Sequence, residues 1–276
     1  MPGDVSHATR AVILARGLGR RMQAADPGAV LDELQRRAAD AGLKAMMPIG
    51  ARPFLDYLLS ALADAGLRDV ALVVAPDHDA VRRHYEQDAP PSRLRLSFLI
   101  QPEALGTANA VLAVERWTAS DPFLVMNADN LYPVTVLRAL AQLDEPGLPA
   151  FRREELVRTG NIREEQVQSF ALVEVDGDGH VTRIVEKPDP AVMAAAGGSA
   201  LVSMNCWRFD ERIFAACRDV PRSSRGEFEL PQAVMLAVTR GVRFRAVPAA
   251  GPVLDLSRRS DATEVARRLA GVNPRL

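Results

Sequence analysis

The sequence predicts an α/β protein with a mainly parallel sheet flanked by helices, and three observations carry that expectation. Short, continuously apolar runs recur at residues 12–14, 69–75 and 123–126, as in strands covered on both faces. Segments of helical spacing separate them with short connections, the alternation that builds a parallel sheet. Two of the runs also lead straight into chemistry-bearing stretches: Gly17 and Gly19 after the first, Asn127-Ala-Asp-Asn130 after the last. Ligands of such sheets sit beyond the carboxyl ends of the strands, so both stretches are expected at one crevice.

Taken in order, the first strand opens into a turn at Gly17 and Gly19, where backbone N–H groups can face an anion. Arg20 and Arg21 add positive charge there. Residues 30–41 set apolar side chains at helical spacing among charges, a short amphipathic helix between Asp26-Pro27 and Gly42. Lys44 follows, alone ahead of an apolar segment. Residues 53–65 predict a helix with proline in its first turn and Gly66 at its end. A strand at 69–75, a helix at 77–85 and a strand at 94–100 come next. Gln101-Pro-Glu-Ala-Leu-Gly-Thr-Ala108 reads as a loop opening a helix to Glu115, and residues 134–143 as another helix.

The second half is less regular. Residues 170–175 and 181–187 flank Asp176-Gly-Asp-Gly179, which reads as a hairpin turn; a calcium loop needs more carboxylates and a distal glutamate. Residues 191–200, small and glycine-containing, are expected to form a mobile loop. A strand over 200–209, a helix from Glu211, a helix opened by 226–231 and reaching Val238, strands at 242–247 and 253–256, and a helix over 261–269 complete the reading. Without a repeat, a low-complexity tract or a clear linker, residues 1–276 are expected to form a single domain with halves at 10–145 and 146–276.

Composition narrows the function. The 276 residues are 48% hydrophobic and 25% charged, with a formal net charge of −1, so a sizeable core is available. No overall basic excess argues for nucleic acid, and any anion binding must be local. Cys206 and Cys217 offer neither a disulfide framework nor a metal-ligand spacing. No apolar stretch approaches the roughly 20 residues that span a bilayer. The first seven residues lack the basic start and apolar region of a signal peptide. These readings point to a cytoplasmic protein without a membrane or nucleic-acid partner.

A series of fragments, in order, resembles the sugar-1-phosphate nucleotidylyltransferases, or nucleoside-diphosphate-sugar pyrophosphorylases, over roughly residues 10–270. They are Leu14-Ala-Arg-Gly-Leu-Gly-Arg-Arg-Met22, Lys44-Ala-Met-Met-Pro-Ile49, Gln101-Pro-Glu-Ala-Leu-Gly-Thr-Ala108, Asn127-Ala-Asp-Asn130, Val185-Glu-Lys-Pro188, Arg225-Gly-Glu-Phe-Glu-Leu230 and Asp255. The resemblance implies a Rossmann-like, glycosyltransferase-A-like nucleotidyltransferase fold with a smaller β-rich sugar-binding portion. It also implies an enzyme that moves a nucleoside monophosphate from a nucleoside triphosphate to a sugar-1-phosphate, or a sugar-like cyclitol phosphate. A phosphate oxygen of the sugar attacks the α-phosphorus and pyrophosphate leaves in line. Such chemistry needs two polyanions positioned and their charge offset, not a covalent nucleophile.

Roles follow from the same resemblance. Leu14, Ala15, Arg16, Gly17, Gly19 and Thr107 fall on the nucleotide side, and Gln101 and Gly106 match positions that read the base. Arg21 lies at the triphosphate, Lys44 at the α-phosphate and Lys187 at the phosphate of the incoming sugar. Asp129 and Asp255 match the two aspartates that hold Mg²⁺, a hard cation suited to carboxylate and phosphate oxygens. Asn130, Glu186, Arg225 and Glu227 match the sugar side.

The chain departs from the family pattern in four places. Arg16 stands where glycine is usual, beside the base or ribose. The stretch from Arg21 to Lys44 is longer than usual, and the extra length is the 30–41 helix, expected as a lid beside the triphosphate or as a contact in a homo-oligomer. Phe170-Ala171 replaces an aromatic–glycine pair beside the sugar. Ser257-Arg258-Arg259 replaces Gly-Thr-Pro after Asp255, and its arginines are expected to face phosphate. Two alternatives stand beside the transferase: nucleotidyl transfer to another phosphorylated acceptor, and a nucleotide-sugar-binding regulatory subunit without turnover. A dehydrogenase fails, since the third glycine of its loop is missing. The base and the sugar stay open.

Overall fold

The computed structural model describes residues 7–17, 19–168 and 170–276. The signal-peptide reading, which rests on residues 1–6, and Leu18 of the glycine-rich turn lie outside the described residues. The main strands are β1 (Arg10–Leu14), β2 (Asp69–Val74), β3 (Arg95–Ile100), β4 (Phe123–Asn127), β5 (Gly147–Arg152), β6 (Ala171–Val175), β7 (Val181–Val185), β8 (Leu201–Ser203), β9 (Cys206–Phe209) and β10 (Arg245–Ala249). They form one sheet in the order β7-β6-β8-β5-β9-β4-β1-β2-β3, with β10 beside β5.

The α/β expectation holds. Strands β3, β2, β1 and β4 are parallel throughout, and their residues divide between two cores. Ala11 and Ile13 of β1 pack on one face and Val12 on the other, all fully buried, which is why these strands read as unbroken apolar runs. From β4 onward the sheet turns antiparallel through β9, β5, β8, β6 and β7, with β10 parallel to β5. The helix at Phe54–Ala65 starts after Pro53 and stops at Gly66, whose φ of 103° suits glycine. The hairpin β6–β7 turns at residues 176–179 as expected.

Several expectations need correction. Residues 191–200 are not a loop: Pro190–Ala196 is helical, opened by Asp189, whose carboxylate accepts the Ala191 N–H, with Pro190 in the first turn. The strand expected over 200–209 is two strands, separated at Asn205, which takes a left-handed φ of 56°. Strand β5 was not foreseen, because Pro149 interrupts its pattern. The two facts share a cause. Proline has no N–H to give a ladder, and β5 pairs with β8 from Ala150 onward but with β9 only at Gly147. The opposing chain breaks beside the proline. The expected 30–41 helix is confined to Glu33–Asp40, where Asp32 and Gln35 form a reciprocal capping box. The 77–85 helix is Asp79–Arg83 followed by a wider turn at His84–Asp88. Short helices at Arg153–Thr159 and Glu164–Val167 were unforeseen.

A third, smaller core mounts the pieces that flank the crevice. Met22, Ala39, Met47, Ile49, Phe54, Leu254, Leu256 and Val265 pack together in it. Beside it, Asn130–Leu131 and Leu254–Asp255 form a two-residue antiparallel ladder in which Asn130 faces Asp255.

Candidate active site

Two cavities, each of about 370 Å³, open at the carboxyl ends of β1 and β4 and share Gly19, Arg20, Lys44, Thr107, Asn127, Asp129 and Glu227. The loop-side cavity adds Leu14, Ala15, Arg16, Gly17, Gln101 and Gly106. The hairpin-side cavity adds Arg21, Asn130, Glu186, Lys187, Arg225 and Asp255. Every candidate residue therefore borders one crevice. Arg21 borders the hairpin side, and Arg20 borders both.

Glycine is required at two points of the loop side. A Cβ on Gly19 (φ 61°) would stand 2.4 Å from the Gly42 carbonyl oxygen, and one on Gly106 (φ 107°) would stand 2.5 Å from that of Phe228. Both contacts are below any tolerable distance, so the loop backbone can come this close only without side chains. The Gln101 amide donates to the Gly106 carbonyl and to Asn109 Oδ1. With both N–H groups committed, its oxygen stays available as an acceptor. Arg16 lies across this end, donating from Nε to the Gln101 carbonyl and from Nη2 to the Pro102 carbonyl, each at 3.1 Å. His78, absent from the sequence candidates, borders the same cavity. Burial, reinforced by the nearby Arg16, pushes its imidazole below the usual range. Thr107 links the two sides of the crevice: its hydroxyl oxygen accepts the Leu230 N–H at 2.9 Å.

Where the cavities meet, Lys44 Nζ donates to Asp129 Oδ2 at 2.9 Å. Burial works against the ammonium, but Asp129 and then Asp255 outweigh it and leave the Lys44 pKa raised. Asp129 follows β4, and the ladder to residues 254–255 brings Asp255 beside it; the Leu256 N–H donates to the Asp129 carbonyl. Asn161 holds the Asp255 backbone on both its N–H and its carbonyl. Burial, then the charge of Asp129, pushes the Asp255 carboxyl up to about 7, although the Ser257 hydroxyl donates to it at 2.5 Å. Lys44 and Asp129 thus form an ion pair beside Asp255, with the positive charge of Arg21 acting on the same group.

On the hairpin side Lys187 is held at φ 46° and Asn205 at φ 56°. Left-handed backbone is uncommon outside glycine and gathers at functional sites. Arg225 donates from both Nε and Nη2 to one oxygen of Glu229, at 3.0 and 2.7 Å. Burial and then Glu229 raise the Glu186 carboxyl above its ordinary value. Asn205, Glu229 and Ser257 were not among the sequence candidates. Asparagine's tolerance of the left-handed region and the four-residue spacing of Arg225 and Glu229 were the available signals. The expectation that Arg258 and Arg259 face phosphate is not met, since neither borders a cavity. No residue of the Glu33–Asp40 helix borders either cavity, which does not favour the lid of the two expected roles, lid or oligomer contact. Among the described residues no three His, Cys, Asp or Glu side chains cluster as a metal site.

Comparison with known proteins gives the family. Residues 39–253 match the nucleotidyl transferase family. The chain belongs to that family of enzymes. It is 26% identical over 261 residues to a UTP–glucose-1-phosphate uridylyltransferase, AglF, of Haloferax volcanii, covering 94% of this chain and 96% of that one. It is also 26% identical over 268 residues to a glucose-1-phosphate thymidylyltransferase of Streptomyces antibioticus, covering 97% and 68%. The fold matches a UDP-glucose pyrophosphorylase solved with UDP-glucose, at a TM-score of 0.73 and 18% identity over 96% of this chain and all of that one. A second such enzyme from Acinetobacter baumanii gives a TM-score of 0.72 at 17% identity, covering 97% and 95%. No helix among the described residues is long and apolar enough to cross a membrane.

Proposed function

We propose that the chain joins a nucleoside monophosphate from a nucleoside triphosphate to a sugar-1-phosphate and releases pyrophosphate. One observation carries the reading: two cavities of similar size meet at the Lys44–Asp129 pair, one bordered by the glycine-rich loop and one by Glu186, Lys187 and Arg225. The loop side takes the nucleotide, with Gly17 and Gly19 allowing close approach of backbone to phosphate and Gln101 reading the base. The hairpin side takes the sugar phosphate, with Lys187 and Arg225 offsetting its charge and Asn130, Glu186 and Glu227 offering partners to hydroxyl groups. Both halves of the proposed single domain, residues 10–145 and 146–276, contribute to each side.

The chemistry is in-line displacement at the α-phosphorus. Lys44 stands at the junction and Arg21 beside it on the hairpin side, where they offset charge that spreads over the α-phosphoryl oxygens and the leaving pyrophosphate. Holding attacking oxygen and phosphorus in one crevice converts an encounter of two polyanions into a positioned step. Asp129 and Asp255 suit Mg²⁺, which commonly takes one or two carboxylates and completes its shell with substrate phosphates and water. The ladder that sets Asp255 beside Asp129 supports that reading, because it brings two carboxylates to one point of the crevice. When bound, Mg²⁺ supplies Lewis-acid neutralisation of phosphate charge.

Pyrophosphate release, measured with each of five nucleoside triphosphates against a panel of sugar-1-phosphates and Mg²⁺, tests the proposal. Release with at least one pair is expected. No release with any pair overturns the transferase reading and favours a nucleotide-sugar-binding regulatory subunit. A cytoplasmic setting accords with soluble substrates of this kind.

A further inference from the structure

We infer that Arg259 is a positioning residue that ties the glycine-rich loop to the segment carrying Asp255. The inference rests on the proposed reading of that loop as the triphosphate cradle. The guanidinium does not face a cavity. Its Nε donates to the Met22 carbonyl at 2.7 Å and its Nη2 to the Gln23 carbonyl at 3.1 Å, and Nη2 also pairs with Asp40. The side chain is only 13% exposed.

Met22 and Gln23 close the single helical turn Arg20–Gln23. Carbonyls at the end of a helical turn lack internal partners, and a cation there satisfies them. Arg259 thus fixes the turn whose other residues, Arg20 and Arg21, border the crevice.

At its other end Arg259 belongs to a stiff loop. Asp261 Oδ2 accepts the N–H groups of Ser257 and Arg258 at 3.0 and 2.7 Å, and the Ser257 hydroxyl donates to Asp255. Polar contacts thus run from the Asp255 carboxylate to Ser257 and on to Asp261, which also holds the Arg258 N–H; Arg259, next in the chain, reaches the turn bearing Arg21. Asp40 closes the helix Glu33–Asp40, so the inserted segment is locked into the same assembly, and Gly42 lies directly against Gly19. The insertion buttresses the loop from outside the crevice.

Arg259→Ala and Arg259→Lys test this by steady-state kinetics and amide hydrogen exchange. The alanine variant is expected to lose about a hundredfold in kcat, the scale of a small misplacement of reacting groups. Its KM for the nucleoside triphosphate should also rise. Lysine keeps the charge but not the fork of donors, so Arg259→Lys should recover part of the loss. Exchange should accelerate at residues 19–24 and 254–261 and not elsewhere. Turnover of the alanine variant within about twofold of the parent overturns the inference, as does exchange that accelerates evenly along the chain. If the alanine variant does not fold, the lysine variant is judged by the same two criteria. A parent protein that releases no pyrophosphate sinks the proposed reaction instead, and the exchange pattern still decides the clamp.

Discussion

The two cavities that meet at Lys44 and Asp129 are built by opposite means. The loop-side cavity comes from turns at the ends of neighbouring parallel strands, and its shape depends on where glycine lets backbone meet backbone. The hairpin-side cavity is collected from distant pieces: the exit of β7, the break between β8 and β9, residues 225–229 and the ladder at Asp255. The first is set by local conformation, the second by long-range pairing. Substitutions should therefore separate the two substrates kinetically, except at the junction.

The junction gives the largest effect. Asp129→Ala removes the partner of Lys44 and a carboxylate shared by both cavities, and pyrophosphate release should fall by about a thousandfold with the circular dichroism spectrum unchanged. Activity near the parent level would remove Asp129 from the proposed metal site. Next comes Gly19→Ala, whose methyl group would collide with the Gly42 carbonyl. Strain of this kind costs about 1–3 kcal/mol, to be read as a lowered melting temperature together with a raised nucleotide KM. A raised sugar-phosphate KM alone would break the comparison. Lys187→Ala is its mirror image: the sugar-phosphate KM should rise about tenfold, from loss of a charge-assisted contact, while nucleotide affinity measured by calorimetry holds.

The smallest effect is a pH dependence. Burial and Glu229 raise the Glu186 carboxyl from an ordinary value of 4.5, so the folded protein holds this proton to higher pH than the unfolded chain. Its contribution to stability is fullest below 4.5 and is lost as pH rises through the folded-state pKa. Glu186→Gln should flatten that decline in a series of thermal melts above pH 4.5. An unchanged slope would mean that the Glu186 carboxyl does not carry it.

What was legible in the sequence follows the same division. β1, β2 and β4 announce themselves because both faces are buried, and Gly17, Gly19, Gln101 and Gly106 lie in loops directly after strands, where order along the chain gives position in space. The missing elements depend on partners remote in sequence. β5 hides behind Pro149, and the break at Asn205 that opens the hairpin-side cavity makes sense only opposite that proline. The helix Pro190–Ala196 did carry its signal in Asp189-Pro190, outweighed by the small residues and glycines that follow. Arg259 illustrates the limit most plainly: sequence marks it as a cation near phosphate, while its actual partners are two carbonyls and the Asp40 carboxylate, which only the fold brings within reach.

The two-residue ladder of Asn130–Leu131 with Leu254–Asp255 has a consequence for the order of synthesis. A nascent chain that has emerged only as far as Leu131 already owns the glycine-rich loop, Lys44 and Asp129, but not Asp255 or the segment that follows it. On the proposed reading, turnover therefore waits for residues 254–255, and a chain clipped before them lacks one side of the pocket that would hold the attacking sugar phosphate.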